Sequence, residues 1–250
     1  MRREENLSEL STSHQDCQEA PARGGRDGQA GAISVPDVSS VAHGRGKAVQ
    51  KSDDWEAVHK ARAWGQYPNE HVVRFVLTHY GPVAARQRVR FLDIGAGGGA
   101  STWFLAREGY GVRAVDVSAS AIRRLRDRVT ADHLSALVAT QVGDIAHMEF
   151  PGVTFDAAID AATLQHLSPE DVLTAVGKVW SVLRPGGRML SLMASDAFDH
   201  REVYPIAPRV ASRGQVDVMF GRFTSVRVGH EAQVRPDGVS ISSWIVEAVK

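Results

Sequence analysis

A single cysteine, Cys17, occurs among the 250 residues, so no intrachain disulfide forms and no cysteine-rich metal cluster can be built. No sign of charge is in excess: Lys+Arg and Asp+Glu both number 29. A surface that grips nucleic-acid phosphates usually leaves a basic surplus, so the balance points to a small-molecule partner and away from nucleic acid. No segment approaches the roughly 20 apolar residues of a membrane span, and the opening MRREENLSEL lacks the apolar run of a secretory signal. The expectation is a cytoplasmic chain without membrane association. Large apolar residues are also scarce up to about Gln50, where Ser, Gly, Gln, Asp and Arg dominate. Such a composition cannot offset the entropy of ordering itself, which predicts a disordered tail over 1–50, with an inert Cys17, ahead of one ordered domain over 51–250.

The rest of the chain has ordinary globular content, with 43% hydrophobic and 23% charged residues overall. Order is expected to begin near Asp54, where Trp55, Val58, Ala61 and Ala63 recur at helical spacing. Pro68 fits the first turn of a second helix that carries Val72, Val73, Phe75, Val76 and Leu77 and stops at Gly81-Pro82. Strands are then predicted at Val89–Ile94, Gly111–Val117, Ala136–Val142, Phe155–Asp160 and Arg188–Met193. Helices are predicted between them at Ser101–Glu108, from the Ser118 cap to about Val129, and from Ser168-Pro169 to Leu183. The alternation predicts an α/β fold with a parallel sheet covered on both faces. The end departs from it: Phe223–Val234 and Val239–Val249 flank the turn Arg235-Pro236-Asp237-Gly238 and must pair antiparallel.

Chemistry concentrates at the end of the first strand, in Phe91-Leu92-Asp93-Ile94-Gly95-Ala96-Gly97-Gly98-Gly99. Glycines there let the backbone turn sharply and let a ligand approach where a Cβ would clash. Asp93 ahead of the loop opposes a pyrophosphate and suits a cofactor bearing an ammonium and a sulfonium. Asp116 closes the second strand, within the window of about 20 residues expected of an acid that binds ribose hydroxyls. Asp144 follows the third strand, where a carboxylate can accept a hydrogen bond from an adenine amino group.

Read together, FLDIGAGGG, AVDVS, VGDI, FDAAIDAATLQHL and LRPGG, in that order, resemble the class I S-adenosylmethionine-dependent methyltransferases of small-molecule type. The resemblance runs from about Trp55 to the end. It implies a Rossmann-like, mostly parallel seven-stranded sheet with helices on both faces and a C-terminal antiparallel hairpin. It also implies an N-terminal helical lid over about 51–82 and S-adenosylmethionine as cofactor. Carried over, Asp93, Gly95, Ala96, Gly97 and Gly99 would hold the methionine end, Asp116 the ribose, and Val117 the adenine face. Asp144 and Ile145 would read the adenine edge, Asp160 would line the transfer site, and Trp64 and Tyr67, from the lid, would bind by covering the cofactor or substrate.

His166, just past the fourth strand, and Asp160, at its end, are the catalytic candidates for removing a proton from an acceptor oxygen or nitrogen, with packing as the alternative for His166. Asp160 and Asp196 offer two oxygens for a metal but no third ligand, so no metal is expected. Substrate walls are expected from the N-terminal helices and from Ser195–Ser212, which carries Asp196, Asp199, His200, Arg201, Tyr204 and Arg209. The expected partner is a small-molecule methyl acceptor in a biosynthetic or modification pathway; the sequence leaves the oligomeric state open. A nucleotide-cofactor oxidoreductase, or a non-catalytic binder on the same fold, remains the alternative.

Overall fold

The computed structural model describes residues 51–63, 65–81, 84–198, 205–234 and 238–250. They belong to a compact unit spanning Lys47–Lys250. Expectations about the tail, Cys17, Trp64, Asp199, His200, Arg201 and Tyr204 lie outside the described residues.

The strands are β1 (Arg90–Ile94), β2 (Gly111–Asp116), β3 (Val138–Val142), β4 (Phe155–Ala161), β5 (Leu183–Ala194), β6 (Ser225–Val234) and β7 (Ser240–Val249). They form one seven-stranded sheet in the order β3-β2-β1-β4-β5-β7-β6. The first five are parallel and β7 is antiparallel to both β5 and β6, as the sequence pattern requires. Strands β1, β2 and β4 are nearly continuous apolar runs because helices cover both faces. One apolar layer gathers Leu92, Ile94, Met189, Val176 and Phe220, and the opposite one gathers Phe75, Phe91, Leu105, Tyr110 and Ile159.

The helices are α1 (Lys51–Ala61), α2 (Glu70–His79), α3 (Ala100–Arg107), α4 (Ala119–Ala131), α5 (Pro169–Val182) and α6 (Arg213–Phe220). Two helices and one strand differ from the sequence expectation. Pro68 is not inside α2: Asn69 is the cap, its side chain accepting from His71 N at 2.9 Å, so the helix starts after the proline. The fifth strand begins earlier, at Leu183, because Arg184-Pro185-Gly186-Gly187 runs along the sheet past a register shift instead of forming a separate turn. Helix α6 had no counterpart in the sequence reading; a capping box between Ser212 and Gln215 starts it.

Strand order reverses between β1 and β4, and the crevice outside the carboxyl ends of such strands is where ligands bind. Helix α1 lies over this end. The Glu56 carboxylate accepts from Ser118 Oγ (2.6 Å), Ser120 Oγ (2.7 Å) and Ser120 N (3.0 Å) at the first turn of α4. Arg124 Nε donates back to the His59 carbonyl at 3.0 Å. Negative charge is favoured at a helix N-terminus, and these bonds hold Glu56 down at about pKa 2, so the clamp is ionised at neutral pH.

Candidate active site

A cleft of about 160 Å³ opens at the switch point. The sequence-predicted residues Gly95, Gly97, Asp116, Val117, Asp144, Ile145 and His166 all line it. Its remaining walls include Trp55 and His59 from α1, and Thr163 and Gln165 from the segment after β4.

The glycine loop is shaped by positive φ at Gly95 (62°), Gly97 (52°) and Gly99 (86°). A Cβ on Gly95 would fall 1.9 Å from Thr163 Oγ1, so that glycine lets the loop lie against the segment after β4. A Cβ on Gly97 would meet only His59, at 3.5 Å, on the cleft side. Gly97 thus marks where the backbone is left bare for a ligand. Gly99 caps α3 and packs on Leu125, and Ala96 is buried with Ala114 and Leu125, so these two build the loop from behind.

Three carboxylates are buried at this end. Asp93 lies beneath the loop, accepting from Thr102 Oγ1 at 2.5 Å. Burial, opposed by that hydrogen bond and reinforced by the charges of Asp116 and Asp160, pushes its pKa up to about 6. Asp160 is fully buried: Oδ1 accepts from Thr163 N (2.8 Å) and Leu164 N (3.2 Å), and Oδ2 from Ser191 Oγ (2.6 Å). Burial raises it too, to about 6. Asp160 therefore shapes the turn that carries Thr163 and His166 and does not itself line the cleft. Asp116 does line it. Its oxygens accept from Gly97 N and Ser118 N, both at 2.8 Å, and its pKa is raised by burial. A carboxylate has about four lone-pair positions, so two backbone bonds leave capacity for a pair of ligand hydroxyls. Asp144 accepts from Ala146 N at 2.9 Å and keeps its side chain partly exposed.

Two imidazoles face each other across Trp55. His166 meets the Trp55 ring edge-on at 4.9 Å, and His59 lies 6.0 Å from the same ring. Burial drives His166 down to about pKa 4 and lowers His59 as well, so both are neutral at pH 7. Nδ1 of each is buried without a hydrogen-bond partner. Unsatisfied buried nitrogens are rare in native proteins, and two in one cleft mark places a bound ligand can satisfy.

Tyr67 stands apart. It is 78% exposed and lines a separate open cavity with Gly98, Trp103 and Arg128. Sequence reasoning did not single out His59, Glu56, Thr163 or Gln165. Trp55 and His59 stand four residues apart, which puts them on one face of α1.

A second cavity, of about 220 Å³, adjoins the first and shares Ala161, Ala162 and Gln165 with it. Ala162 holds φ at 74°, a strained conformation for a residue with a Cβ, of the kind found at functional sites. Phe198 lines this cavity, from the segment expected to supply substrate walls. No described helix is long and apolar enough to cross a membrane.

Comparison with known proteins agrees with this geometry. Residues 91–187 match the methyltransferase domain family. The chain is 26% identical over 151 residues to a demethylmenaquinone methyltransferase of Symbiobacterium thermophilum, covering 59% of this chain and 57% of that one. It is 35% identical over 127 residues to the tRNA 5-carboxymethoxyuridine methyltransferase of Escherichia coli, covering 49% and 44%. The chain thus spans about half the length of the curated relatives it matches. Among solved structures, the N-methyltransferase NodS of Bradyrhizobium japonicum, in complex with S-adenosyl-L-homocysteine, shares the fold with a TM-score of 0.58 at 18% identity. That match covers 79% of this chain and 99% of NodS. Glycine loop, acids at the ends of β1 and β2, and the matched segment agree: residues 91–187 carry a domain of the methyltransferase family, on a sheet whose fold is shared with NodS.

Proposed function

We propose that this protein binds S-adenosylmethionine in the cleft between β1 and β4 and transfers its methyl group to an oxygen or nitrogen of a small molecule. The observation that carries the cofactor half is electrostatic. Asp93, Asp116 and Asp160 are buried around the cleft, and its described lining contains no Lys or Arg. Such a site repels a pyrophosphate and attracts the ammonium and sulfonium of S-adenosylmethionine. The bare Gly97 and the unpartnered His59 and His166 nitrogens fit a ligand seated here.

When bound, the cofactor supplies an activated methyl group, so the chain's task is alignment and exclusion of water. Asp116 holds the glycine loop in shape and offers its free lone pairs to ribose hydroxyls. Val117, Asp144 and Ile145 border the adenine. Helix α1, clamped by Glu56, closes the cleft from above. His166 serves as a neutral wall against Trp55, since a group with a pKa of about 4 takes up a proton poorly at neutral pH.

Calorimetric titration with S-adenosylmethionine, S-adenosylhomocysteine and NAD tests the reading. Binding of the first two and not of NAD is expected. Preference for NAD would replace it with the oxidoreductase alternative. Purified tRNA and a small-molecule extract, offered with radiolabelled cofactor, test the acceptor class, and label recovered in tRNA would refute the small-molecule assignment.

A further inference from the structure

The second cavity holds a hydrogen-bonded histidine–carboxylate pair that the cofactor cleft does not use. His71, in the first turn of α2, bonds through Nε2 to Glu231 Oε2 on β6, across 160 residues of sequence. Both line the cavity with Asn69, Gln165, Gln233 and Ser243, and Leu192, Met193, Phe198, Ile241 and Ile245 make its apolar wall. Gln233 Nε2 donates to Glu231 at 2.5 Å, and this bond, with that of His71, holds the Glu231 carboxyl below its ordinary value. The Glu231 carboxylate can accept a proton held on His71 Nε2, and in that neutral tautomer Nδ1 carries the free lone pair. The described lining contains no Lys or Arg, and the Glu231 carboxylate in it disfavours an anion. A cavity of about 150 Å³ accommodates benzene, so 220 Å³ suits one substituted ring or an aliphatic body of similar bulk.

We infer that this cavity is the methyl-acceptor site, that it takes a neutral or cationic single-ring-sized molecule bearing a hydroxyl or amine, and that the His71–Glu231 pair receives the acceptor's proton. The inference rests on the methyltransferase reading above. The two cavities meet at Ala161, Ala162 and Gln165, where an acceptor can face the cofactor cleft. The acceptor's lone pair forms the new bond to the methyl carbon while the S–CH₃ bonding pair leaves with sulfur. The proton lost from oxygen or nitrogen goes to His71 Nδ1, the imidazolium is balanced by Glu231, and it later discharges to water. Glu231 acts through His71 and is a positioning residue.

The test uses three matched probes: p-cresol (neutral), tyramine (cationic) and 4-hydroxyphenylacetate (anionic). Their binding is measured by calorimetry on the protein saturated with S-adenosylhomocysteine, in the wild type and in Ser243→Phe, which fills the second cavity from β7. The neutral and cationic probes should bind more tightly than the anion, and Ser243→Phe should abolish that binding with S-adenosylhomocysteine affinity intact. With the better probe as acceptor, His71→Asn and Glu231→Gln should lower kcat by roughly 10²–10⁴-fold with KM little changed, and Glu231→Asp should recover part of it. Failure of S-adenosylhomocysteine to bind would sink the methyltransferase reading itself. Intact S-adenosylhomocysteine binding with no probe held, with the anion preferred, or with probe binding indifferent to Ser243→Phe overturns the acceptor site alone. A lower melting temperature with normal kcat in the His71 and Glu231 variants would reduce the pair to a latch between α2 and β6. Dependence of transfer on an added divalent cation would make Glu70, His71 and Glu231, whose ligand atoms lie within 4.8 Å of one another, a metal site instead.

Discussion

Replacing Asp93 with asparagine should make the protein more stable and a poorer binder of S-adenosylmethionine. The ordinary aspartate value of 3.8 is raised to about 6 by burial, so at pH 7.5 the folded protein holds an ionised carboxylate at a cost. The difference of 2.2, at about 1.36 kcal/mol per unit, is about 3 kcal/mol. Asparagine keeps the shape and an oxygen that can accept from Thr102 Oγ1, and removes the charge. For a domain of this size 1 kcal/mol moves the melting temperature by about 2–4 °C, so a rise of about 6–12 °C is expected at pH 7.5. The folded pKa lies above the unfolded one, so the folded state binds more protons between them. The penalty is therefore absent below pH 3.8, grows as pH rises to about 6, and is constant above. The stabilising effect of Asp93→Asn must shrink on the same schedule as pH falls. Asp93 does not line the cleft, so loss of its charge acts across the loop through the field in the cleft and should weaken S-adenosylmethionine without removing a direct contact. Thermal unfolding from pH 4 to 8 and calorimetric titration measure both. A variant destabilised by the same amount at every pH would show that the Thr102 bond, not the buried charge, dominates at Asp93. Higher stability with undiminished cofactor affinity would break the proposed link between the charge and the ligand.

Four further outcomes follow from the cleft. Gly97→Val should abolish S-adenosylmethionine binding in a folded protein, because its side chain enters the cleft beside His59 at a position whose φ of 52° already disfavours any Cβ; calorimetry on a variant with native circular dichroism checks it. Asp116→Ala should weaken the cofactor by about 1.5–3 kcal/mol and should also loosen the glycine loop, seen as faster amide exchange at Gly97, whose N–H it accepts. His166→Ala should raise KM for S-adenosylmethionine more than it lowers kcat; an equal fall in kcat and kcat/KM would return His166 to the chemical step. Glu56→Ala should release S-adenosylhomocysteine faster in stopped-flow displacement, since α1 loses its bonds to Ser118 and Ser120; an unchanged rate would mean that α1 does not gate the cleft.

The sheet was legible because its strands announce themselves. Phe91–Ile94, Ala114–Asp116 and Phe155–Asp160 are apolar runs closed by an acid or a glycine, and burial on both faces leaves little room for another reading. The residues that line the cleft from the sheet side were legible for the same reason: each sits at a strand end, and the end of a strand is fixed by its pattern. Helix α6 escaped because Gly214 and Asp217 dilute its periodicity, although Ser212 with Gln215 three positions on is a capping-box signal. That an N-terminal helix covers the cleft was expected only through the family resemblance, and the contacts that hold α1 there were not legible. Glu56 reaches Ser118 across 62 residues and His71 reaches Glu231 across 160, and neither pairing leaves a trace in local spacing. Asp160 shows the opposite limit: its position at a strand end was right, yet three hydrogen bonds turn its carboxylate into the core of the turn and away from the cleft.

The same features that weaken the empty fold suit it to a ligand. Ionising Asp93 and Asp160 in a dry interior costs stability, and leaving His59 and His166 nitrogens without partners costs more. A core built for stability alone would carry asparagine or an apolar residue at these places. A ligand end bearing a sulfonium and an ammonium, net singly positive with its carboxylate, would lower the cost of the buried acids, and its hydrogen-bonding body would satisfy the nitrogens, so binding recovers energy that folding left unspent. A cleft of 160 Å³ is also smaller than the roughly 300–1,000 Å³ of typical ligand sites, and its wall from α1 is fastened to α4 by partly buried hydrogen bonds of Glu56 and of the His59 carbonyl. Exchange of the ligand is therefore expected to depend on the bonds that hold α1, which the release rate of Glu56→Ala measures.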